Sequence, residues 1–135
     1  MSETVSHYTV RIFYEDTDHS GVVYHANYLK YFERAREDYI GYDRLKDLWN
    51  SQGLGFAVYR ADIRYHDGAV FGDVLDIRTS VRLESEYRAL WHHEAWREGG
   101  RKPAVTADIE LVCINREKKL QMIPTQDLFL TGPGG

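Results

Sequence analysis

The chain has 135 residues and a formal net charge of −4, with 43% apolar and 28% charged residues. This is the composition of one ordinary globular domain with a single core, and not of a disordered chain. The negative charge gives no general attraction to nucleic acid or to anionic membranes. The only cysteine, Cys113, excludes a disulfide within the chain and a metal site built from several cysteines.

No stretch approaches the ~20 apolar residues of a membrane span, and the first residues lack a basic and apolar signal. We therefore expect no membrane insertion and a cytoplasmic location. Aromatic residues make 13% of the chain, with 10 Tyr, 3 Trp and 5 Phe. Because so small a domain has limited interior for these rings, we expect some to line a ligand groove or a subunit interface.

The first half of the chain predicts one strand and one long helix. Apolar and polar residues alternate from Tyr8 to Tyr14, as in a strand, and a polar loop follows. Asn27 is a predicted helix N-cap. Six apolar residues after it recur at steps of three, four or seven, and this indicates one helical stripe that ends near Gly53: Tyr28, Phe32, Ala35, Tyr39, Tyr42 and Trp49.

The second half predicts four strands, over residues 56–65, 75–83, 87–97 and 105–114, with a hairpin turn at 98–101. A sheet must cover the apolar stripe of the helix, so we predict an α+β fold with a twisted antiparallel sheet of about five strands wrapped around one long helix. Residues 1–130 form the predicted domain, and residues 131–135 a flexible tail. Rings on the other face of the sheet favour self-association.

The segment from Tyr14 to Tyr28 reads YEDTDHSGVVYHANY and concentrates the acids and histidines of the chain between a strand and a helix start. A calcium loop does not fit it, since Asn27 would occupy the position of the bidentate glutamate. An Asp-x-Asp phosphoryl-transfer site would need a larger parallel α/β domain. A zinc site from His19, His25 and a carboxylate lacks a standard ligand spacing, so we predict no metal site.

We expect Glu15 and Asp16 to cap nearby amides, and we assign function to Asp18. It precedes the run that enters the helix, where free backbone amides and the positive end of the helix dipole lie. Such amides stabilise a developing oxyanion. A carboxylate beside them could carry out acyl transfer without a metal or a cofactor.

The segment from Tyr14 to Tyr28, together with Phe32-Glu33-Arg34-Ala35-Arg36, resembles the signature of the 4-hydroxybenzoyl-CoA thioesterase family. Within this family the sequence is most similar to the bacterial acyl-CoA thioesterases associated with the Tol-Pal envelope system. The resemblance runs from about residue 8 to residue 124 and implies the hot-dog fold, in which an antiparallel sheet wraps a long helix. It also implies hydrolysis of an acyl-CoA thioester, without a cofactor, to a free acid and CoA.

The resemblance assigns the catalytic carboxylate to Asp18, as nucleophile or general base, and the carbonyl-polarising backbone amide to His25. It places Gly21 at the close turn, and Tyr24 and Asn27 at the pocket wall and helix start. It further implies a homodimer with its sites at the subunit interface, paired into a homotetramer.

Basic and aromatic residues on the strands are candidates for the phosphates and the pantetheine arm of CoA. We select Tyr59, Arg60 and Arg88 for substrate binding, with Arg64 and Arg82 as further arginines. An acyl carrier protein is a possible partner. The alternative from another class is a non-catalytic protein on the same fold, which binds acyl-CoA or acyl carrier protein or joins an envelope complex.

Overall fold

A computed structural model describes residues 4–125 of the chain. In chain order it contains β1 (Ser6–Arg11), a short 3-10 turn (Tyr14–Asp16), α1 (Asn27–Ile40), α2 (Tyr42–Gln52), β2 (Gly55–Tyr65), β3 (Val74–Leu83), β4 (Arg88–Arg97), β5 (Val105–Ile114) and β6 (Leu120–Gln121). The predicted tail at 131–135 lies outside the described residues. Among the helices of this part, none combines the length and apolar character needed to cross a membrane.

Within the described residues, six antiparallel strands form one sheet in the order β1-β3-β4-β5-β2, with β6 paired to the end of β5. The predicted α+β architecture is confirmed, and α1 packs on one face of this sheet, which we call the inner face. The alternation predicted for β3 and β5 is also confirmed. Every second residue of both strands is buried under the helix, from Leu75 to Leu83 and from Val105 to Cys113.

The predicted single long helix is wrong, because the chain breaks at Gly41 into α1 and α2. Gly41 has φ 106° and ψ 131°, a conformation open to glycine and costly for any residue with a Cβ. The break changes the direction of the chain, so Tyr42 and Trp49 leave the buried stripe and are 53% and 41% exposed. Leu48 is the residue of α2 that enters the core.

Ring contacts fix α1 against the centre of the sheet. Phe32 stacks on His93 of β4 with ring centroids 4.9 Å apart, and Tyr39 meets Trp91 edge to face at 5.3 Å. These rings are large, and their burial contributes much of the apolar area removed from water. The start of α1 therefore has a fixed position relative to the sheet.

We predict that Gly41→Ala lowers the free energy of unfolding by about 1–3 kcal/mol, the usual cost of a backbone strained at positive φ. Among the described residues, a Cβ at this position would meet only the Arg44 side chain, at 4.0 Å, so the cost is conformational and not steric. Chemical denaturation measures it. The control Asn50→Ala, at an exposed position of α2, should stay within about 0.5 kcal/mol of the parent. Equal stability of the two variants would contradict strain at Gly41.

Candidate functional site

The loop between β1 and α1 folds into a narrow two-stranded arch, residues 16–24, which we call the Asp18 arch. The Tyr24 amide donates to the Asp16 carbonyl at 2.9 Å, and the Asp18 amide donates to the Val22 carbonyl at 2.8 Å. Gly21 closes the tip with φ 87°, and its amide donates to the Asp18 carbonyl at 3.0 Å. The predicted close turn at Gly21 is thus confirmed, and Asp18 lies beside it.

The arch is attached to the loop before β3. The Val23 amide donates to the Ala69 carbonyl at 2.9 Å, and Val22 forms a bridge with Val70. The backbone of Gly68 passes close to Val22, since a Cβ on Gly68 would lie 2.7 Å from a Val22 methyl carbon. The arch is therefore held against the body of the domain, although Asp18 at its tip is exposed.

One oxygen of the Asp18 carboxylate is held and the other is free. Oδ1 accepts hydrogen bonds from the Ser20 hydroxyl at 2.7 Å and from the Ser20 amide at 2.8 Å. These two bonds, the hydroxyl first, lower the pKa of Asp18. The Val22 and Gly21 backbone amides also act on the carboxylate and lower its pKa, but none of the described residues forms a hydrogen bond to Oδ2. Asp18 is therefore an ionised carboxylate at neutral pH with one oxygen open to a ligand.

The start of α1 offers free backbone donors on the same loop. Among residues 4–125, no acceptor receives the amides of His25 and Ala26, while the Asn27 amide donates to the Tyr24 carbonyl at 2.9 Å. The positive end of the helix dipole lies at this point. The His25 ring lies between Tyr24, at 4.7 Å, and Tyr65, at 6.2 Å.

Tyr65, at the end of β2, belongs to this site and was not predicted. Its hydroxyl donates to the His25 carbonyl at 3.0 Å and so ties the helix start to the sheet. The two residues are 40 positions apart, and the sequence around Tyr65 carries no local signal of this contact. Only the path of β2 across the inner face brings them together.

The prediction that Asn27 caps the helix with its side chain is wrong. Ala26 already has helical dihedral angles, and no side chain of the described residues caps the first amides of α1. The Asn27 side-chain amide donates instead to the Asp16 carbonyl at 3.0 Å, so it links the helix start to the base of the arch. The predicted capping role of Asp16 is confirmed, since its carboxylate accepts from the Phe13 amide at 2.7 Å.

The predicted CoA-binding residues lie on the outer face of the sheet, away from α1. Arg60 is opposite Glu110 in the strand register, and Arg88 is 3.7 Å from the Glu110 carboxylate. The Tyr59 ring lies under the Arg88 guanidinium, with its centroid at 5.3 Å. Within one chain these residues do not meet Asp18, so their role in substrate binding stays a prediction that depends on a second chain.

Exposed rings gather beside the arch, in agreement with the aromatic excess of the sequence. Tyr14 and Phe71 are 80% and 63% exposed, and their rings meet edge to face at 6.2 Å. Phe13 and Tyr24 are exposed nearby along the chain. Residues 4–125 contain no cluster of three or more His, Cys, Asp or Glu side chains arranged to hold a metal ion.

The known proteins to which this chain is similar include thioesterases and thioesterase-like proteins. A sequence model of the Thioesterase-like superfamily matches residues 13–128. The acyl-CoA thioester hydrolase YbgC of Escherichia coli O6:H1 is 34% identical over 82 residues, which cover 60% of this chain and 61% of that protein. The acyl-CoA thioesterase YbgC of Helicobacter pylori is 43% identical over 72 residues, 53% of each chain. The aligned part thus spans between half and two thirds of these relatives.

A solved structure extends the similarity over the fold. The crystal structure of a probable thioesterase from Bartonella henselae is 31% identical, with a TM-score of 0.82, and the match covers 90% of this chain and 100% of that chain. The similarity therefore extends well beyond the motif-bearing loop.

We predict that Ser20→Ala raises the pKa of Asp18 toward its ordinary value of 3.8, because it removes the hydroxyl bond and leaves the amide bond. Carbon-13 NMR of the carboxyl group against pH measures this change. The control Ser51→Ala removes an equivalent bond to Asp47 in α2 and should leave Asp18 unchanged. The opposite result, an unaltered Asp18 pKa in Ser20→Ala, would show that backbone amides and not the Ser20 hydroxyl lower the pKa of the carboxylate.

The same shift contributes to the pH dependence of stability. The folded-state pKa of Asp18 is lowered, so its contribution to stability is present above the unfolded-state value and is lost as the pH falls through the folded-state value.

Proposed function

Because this chain belongs to the Thioesterase-like superfamily, we propose that it is an acyl-CoA thioesterase, which hydrolyses a thioester to a free acid and CoA. The predicted hot-dog fold and the resemblance to the YbgC branch are confirmed. One observation carries the proposal of activity: the ionised Asp18 carboxylate and the unpaired amides at the start of α1 belong to one exposed loop.

The free amides supply the electrostatic part of the proposed reaction. A thioester carbonyl that accepts from the His25 amide would place its developing negative charge at the positive end of the helix dipole. Donors fixed in this way stabilise the tetrahedral transition state more than the ground state. Tyr65 supports them, because its bond to the His25 carbonyl restrains the peptide next to the donor.

Asp18 would provide the reacting oxygen or remove a proton. As a nucleophile, Oδ2 forms a bond to the thioester carbon, the carbon–sulfur bond breaks with release of CoA thiolate, and water hydrolyses the mixed anhydride. As a general base, Asp18 takes a proton from water while the water oxygen attacks the same carbon, and the carbon–sulfur bond then breaks to release the CoA thiolate and the free acid. Ser20 holds Oδ1 in either route and leaves Oδ2 available.

We predict that Asp18→Asn lowers kcat/KM for thioester hydrolysis by about 10²–10⁴, the usual contribution of one acid–base group. A thiol-release assay across acyl-CoA chain lengths and benzoyl-CoA measures the loss and also reports the preferred acyl group. Glu15→Gln is the matched control, since this exposed acid lies in the same loop. His25→Ala, which keeps the backbone amide, should lose less activity than Asp18→Asn.

Two results would distinguish a wrong assignment of Asp18 from a wrong proposal of thioesterase activity. Folded Asp18→Asn protein with wild-type turnover would remove Asp18 from the mechanism. Binding of acyl-CoA by the wild-type protein without thiol release would instead support the non-catalytic alternative, a protein that binds acyl-CoA or acyl carrier protein on the same fold.

We propose that the protein acts as a homodimer whose sites lie at the interface. β2 is an end strand of the sheet, 11 residues long, and one of its edges has no partner strand among the described residues. Such an edge is a template for pairing with another strand. Its exposed residues include Val58 and Tyr59. In such a dimer, Arg60 and Arg88 of one chain could approach the Asp18 site of the other chain.

The outer face of the sheet is a less favourable surface for dimer formation than the edge of β2. His92 lies there between Asp108, at 2.9 Å, and Glu94, at 3.1 Å, and the Arg78 guanidinium covers the Trp96 ring at 4.1 Å. These groups already satisfy one another, so the centre of this face presents little free apolar surface. A homotetramer, an acyl carrier protein as partner and a cytoplasmic location stay predictions.

We expect the wild-type protein to sediment as a dimer and Ala61→Glu to sediment as a monomer. Ala61 is exposed near the middle of β2, where two-fold pairing would place the two new carboxylates close together. Asn50→Glu adds the same charge on exposed α2 and should remain dimeric. A wild-type monomer at micromolar concentration, or a dimeric Ala61→Glu, would contradict pairing through β2.

A further inference from the structure

Arg36 of α1 is a buried cation that the proposed reaction does not use. Its side chain projects from the helix toward the inner face of the sheet, and the residue is only 7% exposed. One of its terminal nitrogens, Nη1, lies 3.1 Å from His93 Nε2. A charged guanidinium with so little contact with water needs partners that compensate its lost hydration.

His93 accepts a hydrogen bond from Arg36 but brings no charge. Because a guanidinium can only donate, Nε2 of His93 is the acceptor, and the ring proton is on Nδ1, which donates to the Thr79 hydroxyl at 2.9 Å. The ring lies nearly parallel to the rings of Phe32, at 4.9 Å, and Trp91, at 6.4 Å. Burial, followed by the charge of Arg36, lowers the pKa of His93 well below its usual range, so the imidazole stays neutral.

No carboxylate of the described residues forms an ion pair with Arg36. Glu33 and Glu37 favour its charge from a longer distance, but burial outweighs them and lowers the pKa of Arg36. Nε and Nη2 of the guanidinium meet no acceptor among residues 4–125. Arg36 therefore combines incomplete charge compensation with N–H donors that have no partner among residues 4–125. These nitrogens are not sealed from solvent, since Tyr31 Oη is the only fully enclosed side-chain atom of these residues without a partner.

These donors border a cavity of about 200 Å³ between α1, α2 and the sheet. Its other walls are apolar: Ile40, Leu45, Phe56, Val58 and Leu111. Glu33 and Glu37 complete the lining. At ~30 Å³ per water molecule this volume equals roughly seven waters, enough for an acid of the size of hexanoate or benzoate. The site thus pairs one buried cationic group with an apolar compartment.

We propose that this space, the Arg36 cavity, binds a small monocarboxylate with a compact apolar body. The carboxylate accepts from the free guanidinium nitrogens, where Arg favours a two-point contact, and the hydrocarbon part packs on Leu45 and Phe56. Glu33 and Glu37 line the same cavity and repel anions, and this repulsion is greater for a dianion such as phosphate than for a monocarboxylate held by Arg36. The inference is independent of the proposed reaction, although the free acid of a thioester hydrolysis belongs to the same chemical class.

Calorimetric titration tests the proposal with benzoate and hexanoate, and with benzamide, hexanamide and inorganic phosphate as comparison ligands. The Asp18→Asn variant is used alongside the wild-type protein, because its binding should be the same even if hydrolysis is lost. We expect each carboxylate to bind about 30-fold or more tightly than its amide, as is usual when a buried charge pair is lost. Equal binding of acid and amide, or tighter binding of phosphate, would overturn the proposal.

Variants locate the site. Arg36→Gln should weaken carboxylate binding by about 30-fold or more, whereas Arg34→Gln, on an exposed position of α1, should leave it unchanged. If Arg36→Gln does not fold, Leu45→Trp, which fills the apolar end, should abolish binding while Arg36 remains. Full binding in a folded Leu45→Trp or Arg36→Gln protein, or no binding of either acid to the wild-type protein, would refute the assignment.

Discussion

The attachment of the Asp18 arch to the body of the domain is the constraint on which the site depends. The arch carries the carboxylate at its tip and the free amides beyond its base, so neither group lies on a rigid strand. Two hydrogen bonds anchor this loop, from the Val23 amide to Ala69 and from the Tyr65 hydroxyl to His25. Gly68 permits the close approach that the first of these needs. A loop held in this way has the preorganisation that electrostatic catalysis requires.

The interior shows a second arrangement of polar groups with a different purpose. Arg36, His93 and Thr79 form a buried chain of hydrogen bonds between α1 and the centre of the sheet. Buried polar groups stabilise a fold only when their partners are complete, and Arg36 is not complete within the described residues. The arch and the Arg36 cavity therefore differ in kind: one exposes a carboxylate with one free oxygen, and the other contains a largely buried cation whose one acceptor among the described residues is His93.

Alternation predicted β3 and β5 correctly because their inner residues face a helix that removes them from water, and this leaves a period of two in the sequence. The same reasoning failed at Gly41. The spacing of apolar residues continues across this glycine, although its positive φ ends the helix. Periodicity alone therefore predicted one helix where the structure has two. The prediction that Asn27 caps the helix failed for a related reason. A side chain that can cap a helix can also form a hydrogen bond to another loop, and the Asn27 side chain donates to the Asp16 carbonyl.

The sequence by itself determined the family, the α+β class and the position of the candidate carboxylate, because a dense local motif and regular periodicity record short-range constraints. Tertiary structure decided what depends on distant contacts. It brought Tyr65 to His25, placed Arg60 and Arg88 on the face opposite α1, and buried Arg36 beside an apolar cavity. Nothing local distinguishes Tyr65, Arg60 and Arg88 from surface tyrosines and arginines, and the signature that contains Arg36 does not show that its side chain is buried. Their roles follow from the order of the strands and from the face on which each side chain emerges, and both are set only when the sheet closes over the helix.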